Sequence, residues 1–575
     1  MSELLKHECG VALVRLRKNL GWYARSCGIP DYGLEKVTLL LEKQHNRGQD
    51  GAGLAAVKFD PEPGTPACAL AKSAASGSPL ADLLDKVAAR REEFAGNIFL
   101  GHLRYATFGK GDVSCCSPFL HDSTCLDRML LLAGNFNFTD TGEMLKHLAA
   151  SGHHPASTAD GYLLLQTVAH FLEKEVNVHP DCPDYVKILR QAVNSLDGAF
   201  TICGVTGSGD LFLLRDSRGI RPGYFYFDDE VFAAASERPA IQAAFNRATS
   251  EVMELPPGKA VILRREGQLE ICDCLDPHPR RSCVFERIYF SRGNDGEIHH
   301  ERRALGKALV PAVLASVDSD FDNTVFSYIP NSAQAAFHGL LEELSFSAMK
   351  KKHVIRFGQV AVKDAKFRTF ITDAAHRQEI YRHVYDVTYG LVRPGSDNLV
   401  VLDDSIVRGN TIRSAILPML DRLGPKKIVV ASSAPPVKYP DCYGIDMATA
   451  GELIAFQALI SLLKKRNAQA LLDECRDGAR EALASGKGSE INWMKKLYDA
   501  VPDEELLPEI TRLLTPPELN ADFEVVYQTC ADLRSCCPGH TGDWYFTGDY
   551  PTPGGVTVAN RALVNYFDNN SERAY

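Results

Sequence analysis

Two stretches of this 575-residue chain combine reactive residue types with a spacing that fixes where they sit. The first, Leu399 to Thr411, reads LVVLDDSIVRGNT: four apolar residues, two adjacent acids, then a loop rich in hydroxyl and glycine positions that runs into a helix. A strand that empties into such a loop aims backbone N–H groups and a helix N-terminus at a bound phosphate. Asp403 and Asp404 suit that setting if the ligand also carries a sugar. Carboxylates accept hydrogen bonds from ribose hydroxyls and help hold Mg2+, whose charge balances the phosphates. A bare acidic pair reads as a polar turn in which Asp404 or Ser405 caps the helix; the length and order of the whole stretch favour the phosphate. The second stretch is Cys9-Gly10, at the head of an apolar run. Alone, such a cysteine reads as core. Around it in the sequence stand the glycine-rich Arg47-Gly48-Gln49-Asp50-Gly51-Ala52-Gly53, Gly101 to Thr107 with Arg104, whose guanidinium fork suits a carboxylate, Asn135, and Asp160.

The elements that must position these groups fall into two blocks and a tail. From Cys9 to about Asp276, short apolar runs alternate with glycine-rich turns, and helical stretches such as Tyr162 to Glu173 intervene. That pattern predicts a layered α/β fold built on antiparallel sheets. Asp276 to Arg281 reads as a linker. Beyond it, Leu399–Leu402 predicts a strand, Ile412, Ile416, Leu420 and Leu423 one face of a helix, and Ile428–Ala431 a second strand. This is a βαβ unit of a parallel sheet, with Pro418 predicting a kink or early break in its helix. Ile329-Pro330-Asn331-Ser332 leads into a helical Ala333 to Ala336, and Lys363, Lys366 and Arg368 make a basic stretch that alone reads as solvated surface. From about Gly451 the chain reads as helical and then irregular.

Lys plus Arg total 63 and Asp plus Glu 73, a net charge of −10 that argues against a general nucleic-acid binder while leaving room for one local basic pocket. No apolar run reaches the length of a membrane span, and Met1 to Glu8 has no apolar signal core. The expectation is a cytoplasmic chain whose sixteen cysteines are mostly reduced.

In order, the pieces from Cys9 to Asp160 resemble the N-terminal-nucleophile glutaminase domain of class II amidotransferases, and Leu399 to Thr411 resembles the phosphoribosyl-pyrophosphate motif of type I phosphoribosyltransferases. Arg215 to Pro222, Ala235-Ser236-Glu237, Pro257-Gly258 and Arg287 to Arg292 extend the resemblance, which runs to roughly Ile454. It implies an αββα glutaminase domain over residues 9–276 after a removable leader of residues 1–8. A parallel-sheet phosphoribosyltransferase domain over residues 277–455 and a helical extension over residues 456–575 follow. It implies Cys9 as nucleophile with its freed α-amine as base, and Asn135 with the N–H of Phe136 as oxyanion hole. Arg47, Arg104 and Asp160 are then the glutamine ligands. Phosphoribosyl pyrophosphate falls to Asp403, Asp404, Ser405, Arg408, Gly409, Asn410 and Thr411 with Lys363 and Arg368 from a mobile loop, and Mg2+ to Ser332, Asp403 and Asp404. Ammonia from glutamine would displace pyrophosphate to give 5-phosphoribosylamine, in a homo-oligomer inhibited by purine nucleotides, with no nucleic acid and no membrane involved.

The chain departs from the commoner family pattern at Asn46, between His45 and Arg47, at Phe136, where glycine is usual, and at Asn410, where threonine is usual. Some family members carry a [4Fe–4S] cluster; Cys283, Cys442, Cys536 and Cys537 are its candidate ligands here, although the expected C-x-x-C is absent. The rival reading is a phosphoribosyl-pyrophosphate or nucleotide sensor with a silent glutaminase site.

Overall fold

The structure, a computed structural model, describes residues 8–106, 109–363, 385–445, 447–570 and 572–574. These form two compact units, one of residues 8–283 with residues 442–445, the other of Val284–Asp441 and Met447–Ala574.

The first unit stacks two antiparallel sheets. In the seven-stranded sheet, Gly10–Leu16 lies between Val231–Ala235 and Ile98–Arg104, with Gly51–Val57 and Cys68–Ser73 beyond the latter. In the six-stranded sheet, Leu130–Phe138 pairs with Gly198–Thr206 on one side and the short Phe119–His121 on the other. Side chains alternate across a strand, and the clusters follow that rule. Val11 and Leu13 pack between the sheets with Leu131, Ala133, Val205 and Leu213. Ala12, Val14 and Leu16 face the other way, into a cluster with Leu34, Val37 and Leu41 of the helix Tyr32–Lys43. Leu130 and Leu132 likewise pack on Leu164, Val168 and Leu172 of the helix Asp160–Val178. Helix, sheet, sheet and helix therefore form four layers, with central strands buried on both faces; this is why they read as unbroken apolar runs.

The second unit is built on a five-stranded, wholly parallel sheet in the order Arg356–Phe357, Thr324–Tyr328, Asn398–Asp403, Lys427–Ser432, Asp522–Tyr527. Asn398–Asp403, the strand that carries the acidic pair, is central. One face is covered by Phe337, Leu340 and Leu344 of the helix Gln334–Lys351, which meet Val400, Leu402, Val429 and Ala431. The last strand comes from the tail, which by sequence alone reads as helical and then irregular. Its helices Ile454–Lys465 to Asp503–Leu514 intervene before the chain returns to the sheet. The break foreseen at Pro418 is a π-helical turn, Ile412–Ile416, ahead of Leu417–Asp421. Widening the turn lets the proline ring, which lacks an N–H, sit in the first turn of the short helix Leu417–Asp421. Ala361–Lys363 and Tyr385–Val387 pair as a two-stranded antiparallel ribbon. Lys366, Arg368 and the side chain of Lys363 lie outside the described residues. Among those described, no helix is long and apolar enough to cross a membrane.

Candidate functional sites

Cys9 immediately precedes Gly10–Leu16, whose partner Ile98–Arg104 ends beside it: Gly10 is opposite Leu103. The Cys9 sulfur accepts from the Tyr105 N–H at 3.4 Å and lies 3.8 Å from the Tyr105 carbonyl. Burial pushes the thiol up to about 11, against the opposing pull of Tyr105 and Arg104. It is therefore protonated near neutrality and needs a base before it can attack.

The thiol opens on a pocket lined by Arg104, Tyr105, Phe119, Phe136 and Asp160 among others. Arg104 keeps one N–H on the Gly109 carbonyl at 3.1 Å. Asp160 opens the helix Asp160–Val178 and accepts from the Gly161 N–H at 2.7 Å; burial raises its carboxyl to about 6. A guanidinium for a carboxylate and a carboxyl for an ammonium make this pocket complementary to an α-amino acid.

Phe136 stands where glycine is common. It is absent from the residues with positive φ, so nothing in its backbone calls for glycine. It faces Phe200, whose carbonyl and N–H are both engaged by Asp216 on the far side. The Phe136–Phe200 pair is thus a non-hydrogen-bonded one, and the Phe136 N–H points off the other edge of its strand. Two residues earlier, Gly134 points the same way, and its carbonyl meets His102 Nε2 at 3.0 Å. Burial lowers His102 to about 3, so the imidazole is neutral and donates.

Asn135 and Arg47, expected on glutamine or its oxyanion, are turned elsewhere in the chain that retains residue 8. Both are buried and both hold the Glu8 carboxylate, Asn135 Nδ2 at 3.1 Å and Arg47 at 3.3 Å. Arg47 Nε also donates to Glu237 at 2.6 Å, and the extra Asn46 donates to the same oxygen at 2.7 Å. Arg221 is the third donor to Glu8. Sequence reading assigned no role to Glu8, Arg221 or Glu237. The signal was present in the motifs Arg215 to Pro222 and Ala235-Ser236-Glu237, but burial alone shows what these charges do.

In the second unit the acidic pair closes the central strand. The Asp404 N–H donates to Asp403 Oδ1 at 2.9 Å, and Ser433 ties both residues down, its N–H on the Asp403 carbonyl at 2.9 Å and its hydroxyl on the Asp404 carbonyl at 3.0 Å. Ser332, from the loop after Thr324–Tyr328, donates to the Asp404 carboxylate, as does Ser405 at 3.0 Å. Burial raises the Asp404 carboxyl and the two hydroxyls pull it back. A buried acid so strained toward protonation is stabilised by a cation, and the hydroxyl and carboxylate oxygens of Ser332, Asp403 and Asp404 suit Mg2+. Arg408 is paired with Glu452 at 2.8 Å. Gly409 has φ +75°, and a Cβ on it would come 2.2 Å from Leu514. The Asn410 carbonyl accepts from Ser414 at 2.6 Å, while Thr411 leads the widened turn.

Cys283, Cys442 and Cys537 are buried and Cys536 is half-buried. No group of three or more His, Cys, Asp or Glu side chains placed to hold a metal ion occurs among the described residues.

A glutamine amidotransferase domain family matches residues 118–243. The chain is similar to curated amidophosphoribosyltransferases of Bacillus subtilis (28% identity, 78% of this chain and 84% of the relative), Pasteurella multocida (29%, 73% and 80%) and Pseudomonas aeruginosa (28%, 63% and 71%). Its fold is that of the solved glutamine phosphoribosylpyrophosphate amidotransferase from B. subtilis complexed with ADP and GMP, at TM-score 0.67 and 22% identity, covering 95% of this chain and 97% of that one.

Proposed function

We propose that this chain belongs to the amidophosphoribosyltransferase family and carries out its two-site reaction: glutamine hydrolysis at Cys9 and transfer of the ammonia to 5-phosphoribosyl pyrophosphate, giving 5-phosphoribosylamine, glutamate and pyrophosphate. The observation that carries this reading is the pocket in which Cys9, Arg104 and Asp160 meet, in a chain whose other unit ends its central parallel strand in the Asp403-Asp404 loop.

In the first unit Arg104 takes the glutamine carboxylate and Asp160 its ammonium, which presents the side-chain amide to the thiol. Removal of residues 1–8 frees the Cys9 α-amine. That amine titrates near neutrality and takes the thiol proton as sulfur attacks. The Phe136 N–H, with Asn135 once Glu8 has left it, stabilises the oxyanion. Ammonia leaves and water resolves the thioester. In the second unit Asp403 and Asp404 hold the ribose hydroxyls, and the amides of residues 405–411 hold the 5-phosphate. Lys363 and Arg368 bring positive charge to the pyrophosphate. Ser332, Asp403 and Asp404 would hold Mg2+, which neutralises pyrophosphate charge when bound. Purine nucleotides are the proposed inhibitors, a homo-oligomer the proposed assembly and the cytoplasm the proposed location.

The rival reading is a phosphoribosyl-pyrophosphate or nucleotide sensor with a silent glutaminase site. The Cys9→Ala variant separates the two. An active enzyme loses glutamine-dependent pyrophosphate release and keeps the ammonia-dependent reaction; a sensor shows neither before or after the substitution.

A further inference from the structure

The second unit carries a groove of about 530 Å3 outside the Asp403-Asp404 loop, within the size range of small-molecule sites. Its lining comes from two segments. The widened turn Ile412–Ile416 and the helix after it supply Arg413, Pro418 and Arg422, and the end of the helix Asp503–Leu514 with the loop beyond supplies Arg512, Pro516 and Glu518. Three guanidiniums against the one carboxylate of Glu518 give the groove an excess of positive charge, in a chain whose net charge is −10. Arg413 and Arg422 are exposed, and their side chains make no hydrogen bond or ion pair among the described residues. Arg512 is oriented by Glu509, which accepts from its Nε at 3.0 Å and its Nη2 at 2.8 Å. The hydroxyls of Ser414 and Thr515, also in the lining, are spent on the Asn410 and Thr511 carbonyls at 2.6 and 2.8 Å. The side-chain donors left to a ligand are therefore guanidiniums. The lining has no aromatic ring to stack a base and no Asn or Gln amide to pair with one.

We propose that Arg413, Arg422 and Arg512 form a binding site for a condensed inorganic phosphate, a short chain of phosphoryl groups, separate from the Asp403-Asp404 loop. A guanidinium fork pairs with two phosphate oxygens at once. Three forks along one groove match a ligand that repeats its anionic group, and a single phosphate cannot reach all of them. The groove supplies the positive charge itself, so the ligand needs no metal there. At the Asp403-Asp404 loop, by contrast, paired carboxylates repel a phosphate chain unless a cation intervenes. The site also lies close to that loop in the chain. Arg413 follows just after Thr411, and Leu513, in the groove's lining, precedes Leu514, whose side chain abuts Gly409. A bound phosphate chain would tie together the two segments that bracket Gly409.

The test is calorimetric titration of the purified full chain with inorganic phosphate, pyrophosphate and tripolyphosphate in EDTA at matched ionic strength, with thermal melting as a check on folding. Wild type is expected to bind one tripolyphosphate per chain, pyrophosphate more weakly and phosphate more weakly still. Arg422→Gln should weaken tripolyphosphate about tenfold or more, and Arg413→Gln with Arg422→Gln should abolish its binding. Both positions are exposed, and the single variant decides if the double does not fold. Tripolyphosphate affinity unchanged in a folded Arg422→Gln overturns the proposal, as does wild type that fails to bind it below about 1 mM. Sulfate binding as tightly as tripolyphosphate would mean an adventitious ion only, and ATP binding about tenfold tighter than tripolyphosphate would mean a nucleotide site; either overturns it. Affinity for phosphoribosyl pyrophosphate with Mg2+ should stay within twofold of wild type in both variants. A parallel loss there assigns the arginines to the Asp403-Asp404 loop and overturns the separate site, while leaving the two-site reading standing.

Discussion

Asp160 links charge to pH. Its carboxyl is raised to about 6 chiefly by burial, above the ordinary 3.8. Between roughly pH 4 and 6 the empty native pocket therefore keeps a proton that the unfolded chain has released. Asp160's contribution to stability falls as pH rises through that window. Asp160→Asn should raise the melting temperature at pH 7 without substrate. Glutamine binding calls for the ionised form, so KM for glutamine should climb below about pH 6 in wild type, and that dependence should flatten in Asp160→Asn, whose KM is higher throughout. Arg104→Ala removes a charge-assisted pair worth about 1.5–3 kcal/mol, so KM for glutamine should rise about 10- to 100-fold; ammonia-dependent turnover checks that the second unit is intact. Legibility differed at this scale. Cys9, Arg104 and Asp160 were named by residue type and order, and they do meet in one pocket. The ion-pair cluster of Glu8, Arg47, Arg221 and Glu237 was not legible, because a charged residue in a sequence reads as exposed until burial shows otherwise.

At the scale of elements, the βαβ unit around Asp403 and the layered sheets were legible because strands covered on both faces leave unbroken apolar runs. The edge strand Asp522–Tyr527 was not, since its first three residues are exposed or half-buried and it is separated from Lys427–Ser432 by a run of helices. Leu402 packs under the loop it feeds. Leu402→Ala should cost about 2–5 kcal/mol of stability in that unit, read by denaturant unfolding. Gly409 turns the proposed phosphate loop at φ +75° with Leu514 against it. Gly409→Ala strains the loop by about 1 kcal/mol from backbone conformation alone. KM for phosphoribosyl pyrophosphate should rise several-fold, with glutamine hydrolysis within twofold of wild type.

In the whole molecule two chemistries share one intermediate, ammonia, and the glutamine-dependent reaction needs both units. On the proposed reading the net charge of −10 matters little, because Arg104 would meet the carboxylate of the zwitterionic glutamine in one unit, and loop amides with Mg2+ would meet the phosphates in the other. The most direct measurement supplies the processed protein with glutamine, phosphoribosyl pyrophosphate and Mg2+ and follows glutamate and pyrophosphate together. Equal amounts of the two are expected, with loss of both in Cys9→Ala and return of pyrophosphate alone when ammonia is added to that variant. Processed, folded protein that releases neither product, or that makes glutamate without pyrophosphate, contradicts the two-site reading.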